Sequence, residues 1–337
     1  MLVLVLFLSV AAVSSAHPGI HSNEFALTFP NRDDDNTLIA ELLDAEKEIK
    51  AQPSDLKIYF YSRKNRNNPI LIDNNDISAL ENSGFFNTSV RLISFTHGWL
   101  DDYTSETSTL LTDAILETDD VNVLVSDWSS FSKLGYLRAK FAVPSLGNYL
   151  GSVIDKIVAA FKISHKQFTL IGHSLGAHIA GAAGSVTEQK VDVIIGLDAA
   201  LPFFSISDID NRLDPSDADF VHAIHTAGGF LGFSTPIGHS DYFPNGGRTQ
   251  KGCFFDIFRS CSHVRSVKYL AESISNKQKF WAYKCHDYSA YKKGICVTKE
   301  NQSFMGSLNP DKSARGSYYL ETNSASPYAM DVSPKYS

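Results

Sequence analysis

Short apolar runs punctuate the chain at residues 56–61, 90–95, 121–125, 168–171, 191–197 and 220–225, each flanked by polar or turn-forming residues. Runs of this length, rich in β-branched and aromatic residues, predict buried strands. Helical spacing lies between and after them. Leu150, Val153, Ile154, Ile157, Val158 and Phe161 form one continuous apolar stripe, and Val267, Leu270 and Ile274 form another. A helix of small residues begins just after Ser174, with Ala177, Ala180 and Gly181 set to lie close on a sheet. Leu38, Leu42, Ala45 and Ile49 predict an amphipathic helix over residues 36–50, preceded by a loose polar arm at 17–35. A last strand is expected at 318–320. The strand-helix-strand-helix alternation from 121 to 182 implies an α/β fold with a mostly parallel central sheet flanked by helices.

At 337 residues the chain is long enough for a full core. Its net charge of −7 and the lack of a basic stripe exclude a nucleic-acid binder, and any membrane contact must then be mainly hydrophobic. Residues 1–16 are apolar and end Val-Ser-Ser-Ala, the pattern of a secretory signal peptide too short to span a bilayer. The expected product is a secreted, extracellular, single-domain protein over residues 17–337. Four cysteines in an exported chain suggest two disulfides. Neighbour pairing, Cys253 with Cys261 and Cys285 with Cys296, is the simplest of the three connectivities that four cysteines allow. Asn87-Thr-Ser89 and Asn301-Gln-Ser303 are glycosylation sequons.

Chemistry concentrates at Gly172-His-Ser174-Leu-Gly176, which follows one predicted strand and opens a helix. A serine at so tight a turn needs small residues two before and two after it, and the turn presents its Oγ at the strand's carboxyl end. Ser174 is therefore the expected nucleophile. The next strand ends in Asp198, in the layer where parallel sheets gather functional groups, which suits an acid that orients a histidine. His263 lies between a cysteine-tied loop and a helix start, a rigid mounting for the base, with His286 in reserve. The order Ser174, Asp198, His263 is that of an α/β-hydrolase triad. His222 and His225 read as packed structural histidines, and Asp127 as a cap or loop-ordering carboxylate. The turn at Phe95-Thr-His97-Gly98-Trp99 can aim the Trp99 N–H into the site, completing an oxyanion hole with the N–H of Leu175. Phe254, Phe255, Ile257 and Phe258, between Cys253 and Cys261, either pack down over the core or rim an apolar cleft. Phe230 and Phe233, in a glycine-rich loop, are expected to join them at the substrate. Asp214-Pro-Ser-Asp217 reads equally as a calcium-binding turn and as a helix cap.

Together, Thr96-His-Gly-Trp99, Gly172-His-Ser-Leu-Gly176, Gly196-Leu-Asp198, Arg212-Leu-Asp-Pro-Ser-Asp217, Phe243-Pro-Asn-Gly-Gly247 and Cys261-Ser-His263-Val-Arg-Ser266 resemble the secreted pancreatic-lipase family over nearly the whole mature chain. The resemblance implies an α/β-hydrolase fold. It also implies Ser174 as nucleophile, His263 as base, Asp198 as orienting acid, Trp99 and Leu175 at the oxyanion hole, and Asp214 and Asp217 at a structural calcium, with no cofactor required. The chain departs from that family at Ala199, where proline is usual, and in lacking room for a C-terminal β-sandwich, so no colipase partner is expected. The segment between Cys253 and Cys261 is far shorter than a triglyceride lipase's lid, and the 228–237 loop is trimmed. Both features resemble the insect and wasp-venom phospholipases A1 of the family. The expected activity is hydrolysis of phospholipid or glyceride esters at a lipid interface. The alternatives are a neutral triacylglycerol or galactolipid lipase, a small-ester hydrolase, and a non-enzymatic yolk-type lipid carrier.

Overall fold

The computed structural model describes residues 26–30, 37–41, 50–72, 77–275 and 278–330. Residues 1–16, read above as a signal peptide, lie outside them, as do residues 42–49 of the predicted N-terminal helix. Where that helix was expected to begin, Thr37–Glu41 is instead a strand, β2, paired antiparallel with β1 (Ala26–Pro30). The loose arm therefore also contains a strand. The physical reason lies in the sequence, where the β-branched Thr37 and Ile39 favour an extended chain once a partner strand is available.

The main sheet has eleven strands. After β3 (Lys57–Tyr61) and β4 (Ile70–Ile72) come β5 (Leu92–Thr96), β6 (Asn122–Asp127), β7 (Phe168–His173), β8 (Val193–Leu197), β9 (Phe220–Ile224) and β10 (Ser240–Pro244). They are followed by β11 (Phe280–Lys284), β12 (Gln302–Met305) and β13 (Gly316–Leu320). Across the sheet the order is 12-11-13-10-9-8-7-5-6-3-4. From β13 to β6 every neighbouring pair is parallel, while β3–β4 and β11–β12 add antiparallel edges. The six predicted runs coincide with β3, β5, β6, β7, β8 and β9. Their continuous apolarity follows from burial on both faces.

The helices are α1 (Ser78–Asn82), α2 (Glu106–Thr118), α3 (Ser129–Ser132), α4 (Tyr136–Phe161), α5 (Leu175–Val186), α6 (Ser260–Ser275) and α7 (Tyr288–Lys292). One face of the sheet buries Leu146, Leu150 and Ile154 of α4 with Ala177 and Ala180 of α5. The other buries Leu111 and Ile115 of α2 with Val267 and Leu270 of α6. α4 and α5 cross closely because a Cβ at Gly147 would lie 2.3 Å from Ala182 Cβ, and one at Gly151 would lie 2.5 Å from Val186 Cγ2. This arrangement is the α/β-hydrolase fold, with the ends of β5, β7, β8 and β9 opening on one rim. Among the described residues no helix is long and apolar enough to cross a membrane.

Both disulfides join neighbours, Cys253 to Cys261 and Cys285 to Cys296, with Cα atoms 5.7 Å and 5.5 Å apart. The two sequons differ. Asn87 is exposed, whereas Ser303 is buried, bonded to the Tyr242 hydroxyl and donating to Asp311.

Candidate active site

Ser174 sits between β7 and α5 with φ 57° and ψ −123°, a conformation that a non-glycine residue adopts only when its surroundings enforce it. The enforcing bonds are visible. The Ser174 N–H donates to Leu197 O at 3.0 Å, and its carbonyl accepts from Ala177 and Ala200. The two flanking glycines are required by space. A Cβ at Gly172 would lie 2.2 Å from Gly176 O, and one at Gly176 would lie 2.2 Å from Thr96 O. Because these obstacles are backbone atoms, they cannot move aside cheaply. Gly172→Ala is expected to destabilise the fold by several kcal/mol, since both overpacking and local strain are enforced at once. Thermal melting checks it; a midpoint unchanged from wild type would show the elbow to be more compliant than this geometry.

The histidine and the acid meet as expected. His263, in the first turn of α6, donates from Nδ1 to Asp198 Oδ2 at 2.5 Å, which leaves Nε2 for the cleft. Asp198 is fully buried just past β8, and its charge is met by the amides of Thr226 (2.6 Å to Oδ1) and Ala227 (3.0 Å to Oδ1). Gly232 leaves room for that carboxylate, since a Cβ there would come within 2.5 Å of Oδ1. His286 is almost wholly exposed beside Asp287, which removes it as the reserve base. His222 bonds to Ser240 Oγ and accepts from Gly306 N–H, and His225 bridges Phe233 O and the Asp241 carboxylate. Both are structural.

The remaining elements converge on Ser174. A Cβ at Gly98 would lie 3.0 Å from Ser174 Cβ, so the turn after β5 runs directly against Ser174. That turn is braced from behind. Trp128 Nε1 donates to His97 O at 2.9 Å, Leu100 N–H donates to Ser132 O, and His97 bonds to Asp127 at 3.2 Å. Against the opposing effect of burial, the His97 bond and the Ser129 amide hold the Asp127 carboxyl below its ordinary value. Leu175 is the first residue of α5, so its N–H has no intrahelical acceptor and the helix dipole adds positive potential there.

A cleft opens over Ser174 and His263, walled by Trp99, Leu100, Tyr136, Ala200, Pro202, Leu231 and Phe258. Its apolar lining suits an acyl chain. Of the loop aromatics, only Phe258 lines it. Phe254, Phe255 and Ile257 are 84 %, 99 % and 74 % exposed, so the disulfide-tied segment projects outward and does not pack on the core. Asp256 fixes it to the helix bearing His263 by accepting the amides of Cys261 and Ser262. Phe233 departs from expectation. It is buried, edge-on to His178, because its backbone bonds to Ala199 O and to His225 turn the side chain inward. Phe230 is half-buried away from the cleft wall, and Leu231 occupies the wall position expected of it.

His178, one turn into α5, carries a role that the linear pattern did not reveal. Its Nε2–H donates to Ala200 O at 2.8 Å, while Nδ1 accepts the Leu213 N–H at 3.0 Å. Burial lowers its pKa to about 4, which keeps the ring neutral and preserves both bonds. It thereby ties the cleft wall to the Asp214 turn. A histidine four residues after a nucleophile on a helix was the available signal.

Asp214 and Asp217 form a reciprocal cap. Asp214 Oδ1 accepts the Ser216 N–H at 2.6 Å, and Asp217 Oδ2 accepts the Asp214 N–H at 2.9 Å. Both carboxylates are buried in this one turn, and paired carboxylate oxygens are the ligand type a hard cation takes. Burial, with Asp214 nearby, raises the Asp217 pKa to about 7 from 3.8. The folded state thus holds a proton that the unfolded chain releases near pH 4. The stability this contributes is present below about pH 4 and lost as pH rises through 7. In chelator, the melting temperature is expected to fall between pH 5 and 8 in wild type and much less in Asp217→Asn. Calcium should reverse the fall at pH 8. Equal slopes in the two proteins would remove Asp217 as the cause.

The fold is that of the α/β hydrolases, with Ser174, His263 and Asp198 gathered at one rim of the sheet. The chain belongs to the lipase family, whose model matches residues 27–328. It is 34% identical over 265 residues to pancreatic lipase-related protein 2 of Cavia porcellus, covering 75% of this chain and 60% of that protein. It is also 34% identical over 303 residues to inactive pancreatic lipase-related protein 1 of Homo sapiens (81% and 64%), and 34% over 272 residues to lipoprotein lipase of Sus scrofa (73% and 57%). The chain thus spans roughly three-fifths of the length of these relatives.

Proposed function

We propose that the protein is a secreted lipid carboxylic ester hydrolase acting as a phospholipase A1. The observation that carries the hydrolase reading is the convergence of Ser174 and the Asp198-braced His263 at an apolar cleft. In the proposed reaction His263 Nε2 takes the Ser174 Oγ proton as Oγ attacks the sn-1 acyl carbonyl. The Trp99 and Leu175 N–H groups receive the oxyanion, each such donor being worth about 3 kcal/mol of barrier. The imidazolium then gives its proton to the departing glyceryl oxygen, releasing lysophospholipid. Water, deprotonated by His263, attacks the acyl-Ser174, and the proton returns to Oγ as the fatty acid leaves. No cofactor takes part; a calcium ion at Asp214 and Asp217 would act structurally, by holding Asp217 ionised.

Support for phospholipase A1 over a triacylglycerol or galactolipid lipase comes from the Cys253–Cys261 segment. It is short, is tied at both ends, and holds three apolar side chains away from the cleft, so that a bulky headgroup meets no cover. Replacing Phe254, Phe255 and Ile257 by serine is expected to slow hydrolysis of lipid aggregates about tenfold while barely affecting a soluble short-chain ester. Equal losses on both would assign these residues to folding alone. The deciding experiment for the reading as a whole is product analysis with phosphatidylcholine carrying distinguishable sn-1 and sn-2 chains, and with a triglyceride emulsion. Release of the sn-1 acid with little glyceride cleavage is expected. Glyceride cleavage alone would make it a neutral lipase, and no turnover of either lipid would favour a carrier.

A further inference from the structure

At the lip of the same cleft, the chain after Asp198 forms a loop with an uneven distribution of apolar side chains. Leu201 and Phe204 turn inward against the core, and Phe204 stacks on His178 with ring centroids 4.0 Å apart. Phe203, Ile206 and Ile209 turn outward and are 50 %, 45 % and 50 % exposed. Phe203 holds a left-handed backbone with φ 62°, a cost that the inward anchors on either side enforce. The loop is continuous with the cleft lip. Pro202 lines the cleft, its carbonyl accepts the Tyr136 hydroxyl at 3.1 Å, and the Phe203 ring lies against Tyr136.

We propose that the outward face of this loop is a second lipid-contacting wall, inserting into the surface of a zwitterionic phospholipid aggregate. The inference rests on the lipid-ester reading above and adds the surface by which the substrate aggregate is engaged. A rigidly anchored loop that leaves three large apolar side chains in water beside a substrate entrance is a patch in search of an apolar partner. The charges around it select a neutral surface. Asp208 and Asp210 are exposed within the loop, whereas Arg212 is turned inward to the carbonyls of Ile206 and Leu213. Lys140 is drawn over the Phe204 ring, and partial burial lowers its pKa. Contact is therefore hydrophobic, and salt should change it little.

The test compares wild type with the variant Phe203→Ser, Ile206→Ser, Ile209→Ser by flotation on phosphatidylcholine vesicles and by hydrolysis of vesicle and monomeric short-chain phosphatidylcholine. The variant is expected to float at least about tenfold less well and to lose vesicle hydrolysis in proportion, while keeping monomer hydrolysis within about twofold. Undiminished flotation overturns the proposal, as does equal loss on both substrates with an unchanged melting temperature. A wild-type dimer that the variant converts to monomer would also overturn it, making the loop a self-association surface. Ile209→Ser alone, expected to show a partial loss of flotation, keeps the test decisive if the triple variant melts early. Flotation is read without turnover, so a wild type that hydrolyses neither substrate would defeat the proposed activity and leave the flotation comparison to judge the loop.

Discussion

Ser174→Ala should reduce kcat on any accepted ester by about 10⁵- to 10⁶-fold and leave the melting temperature near that of wild type. The size of the loss follows from the role proposed for Oγ: without it no acyl-enzyme would form, and His263 would have no proton to take. The mildness of the structural effect follows from the bonds around the residue. Its N–H and carbonyl hold the elbow through Leu197, Ala177 and Ala200, and alanine keeps all of them. No hydrogen bond that shapes the site uses the hydroxyl as donor or acceptor among the described contacts. Retained turnover in the purified variant, measured with active-site titration to exclude wild-type carry-over, would displace Ser174 as nucleophile. The same inactive variant should still bind lipid, which separates catalysis from engagement with the surface.

Much of this site is legible in the sequence because the strands that carry it are buried on both faces. The run Phe168–Ile171 is largely apolar, and it is followed directly by Gly172, a glycine that space requires. The elements that escaped are those whose polar residues are satisfied inside the protein. β10 begins Ser-Asp, a turn-like pair, yet both side chains are buried, Ser240 on His222 and Asp241 on His225 and two backbone amides. α2 opens Glu-Thr-Ser-Thr, which masks the stripe of Leu111, Ala114 and Ile115 behind it. Phe233 shows a different limit. A loop residue's direction is set by backbone bonds to distant partners, here Ala199 and His225, and no local pattern encodes those. The Asp214 turn shows a third: a reciprocal cap and a cation site use the same two carboxylates at the same spacing, so linear order is silent between them.

Asp198→Asn is expected to cost about 10⁴ in kcat with an intact fold, and the hydrogen bonds around the carboxylate say why. Asp198 receives three donors, the amides of Thr226 and Ala227 and the Nδ1–H of His263. An asparagine offers one acceptor oxygen and one NH₂. Facing the NH₂ toward the two amides would set donors against donors at 2.6 Å and 3.0 Å in a fully buried site, so the oxygen stays there. The NH₂ then confronts His263 Nδ1, which must accept. That tautomer puts the proton on Nε2, the nitrogen that takes the proton from Ser174 in the proposed reaction. The ring remains in place and its chemistry is blocked. The expected readout is a large fall in kcat on a soluble ester, with KM changed much less because the cleft walls are untouched. Activity should partly recover at alkaline pH, where the serine loses its proton without help. A variant within tenfold of wild type at neutral pH would show that Asp198 holds the loop after β9 in place and does not govern the His263 proton.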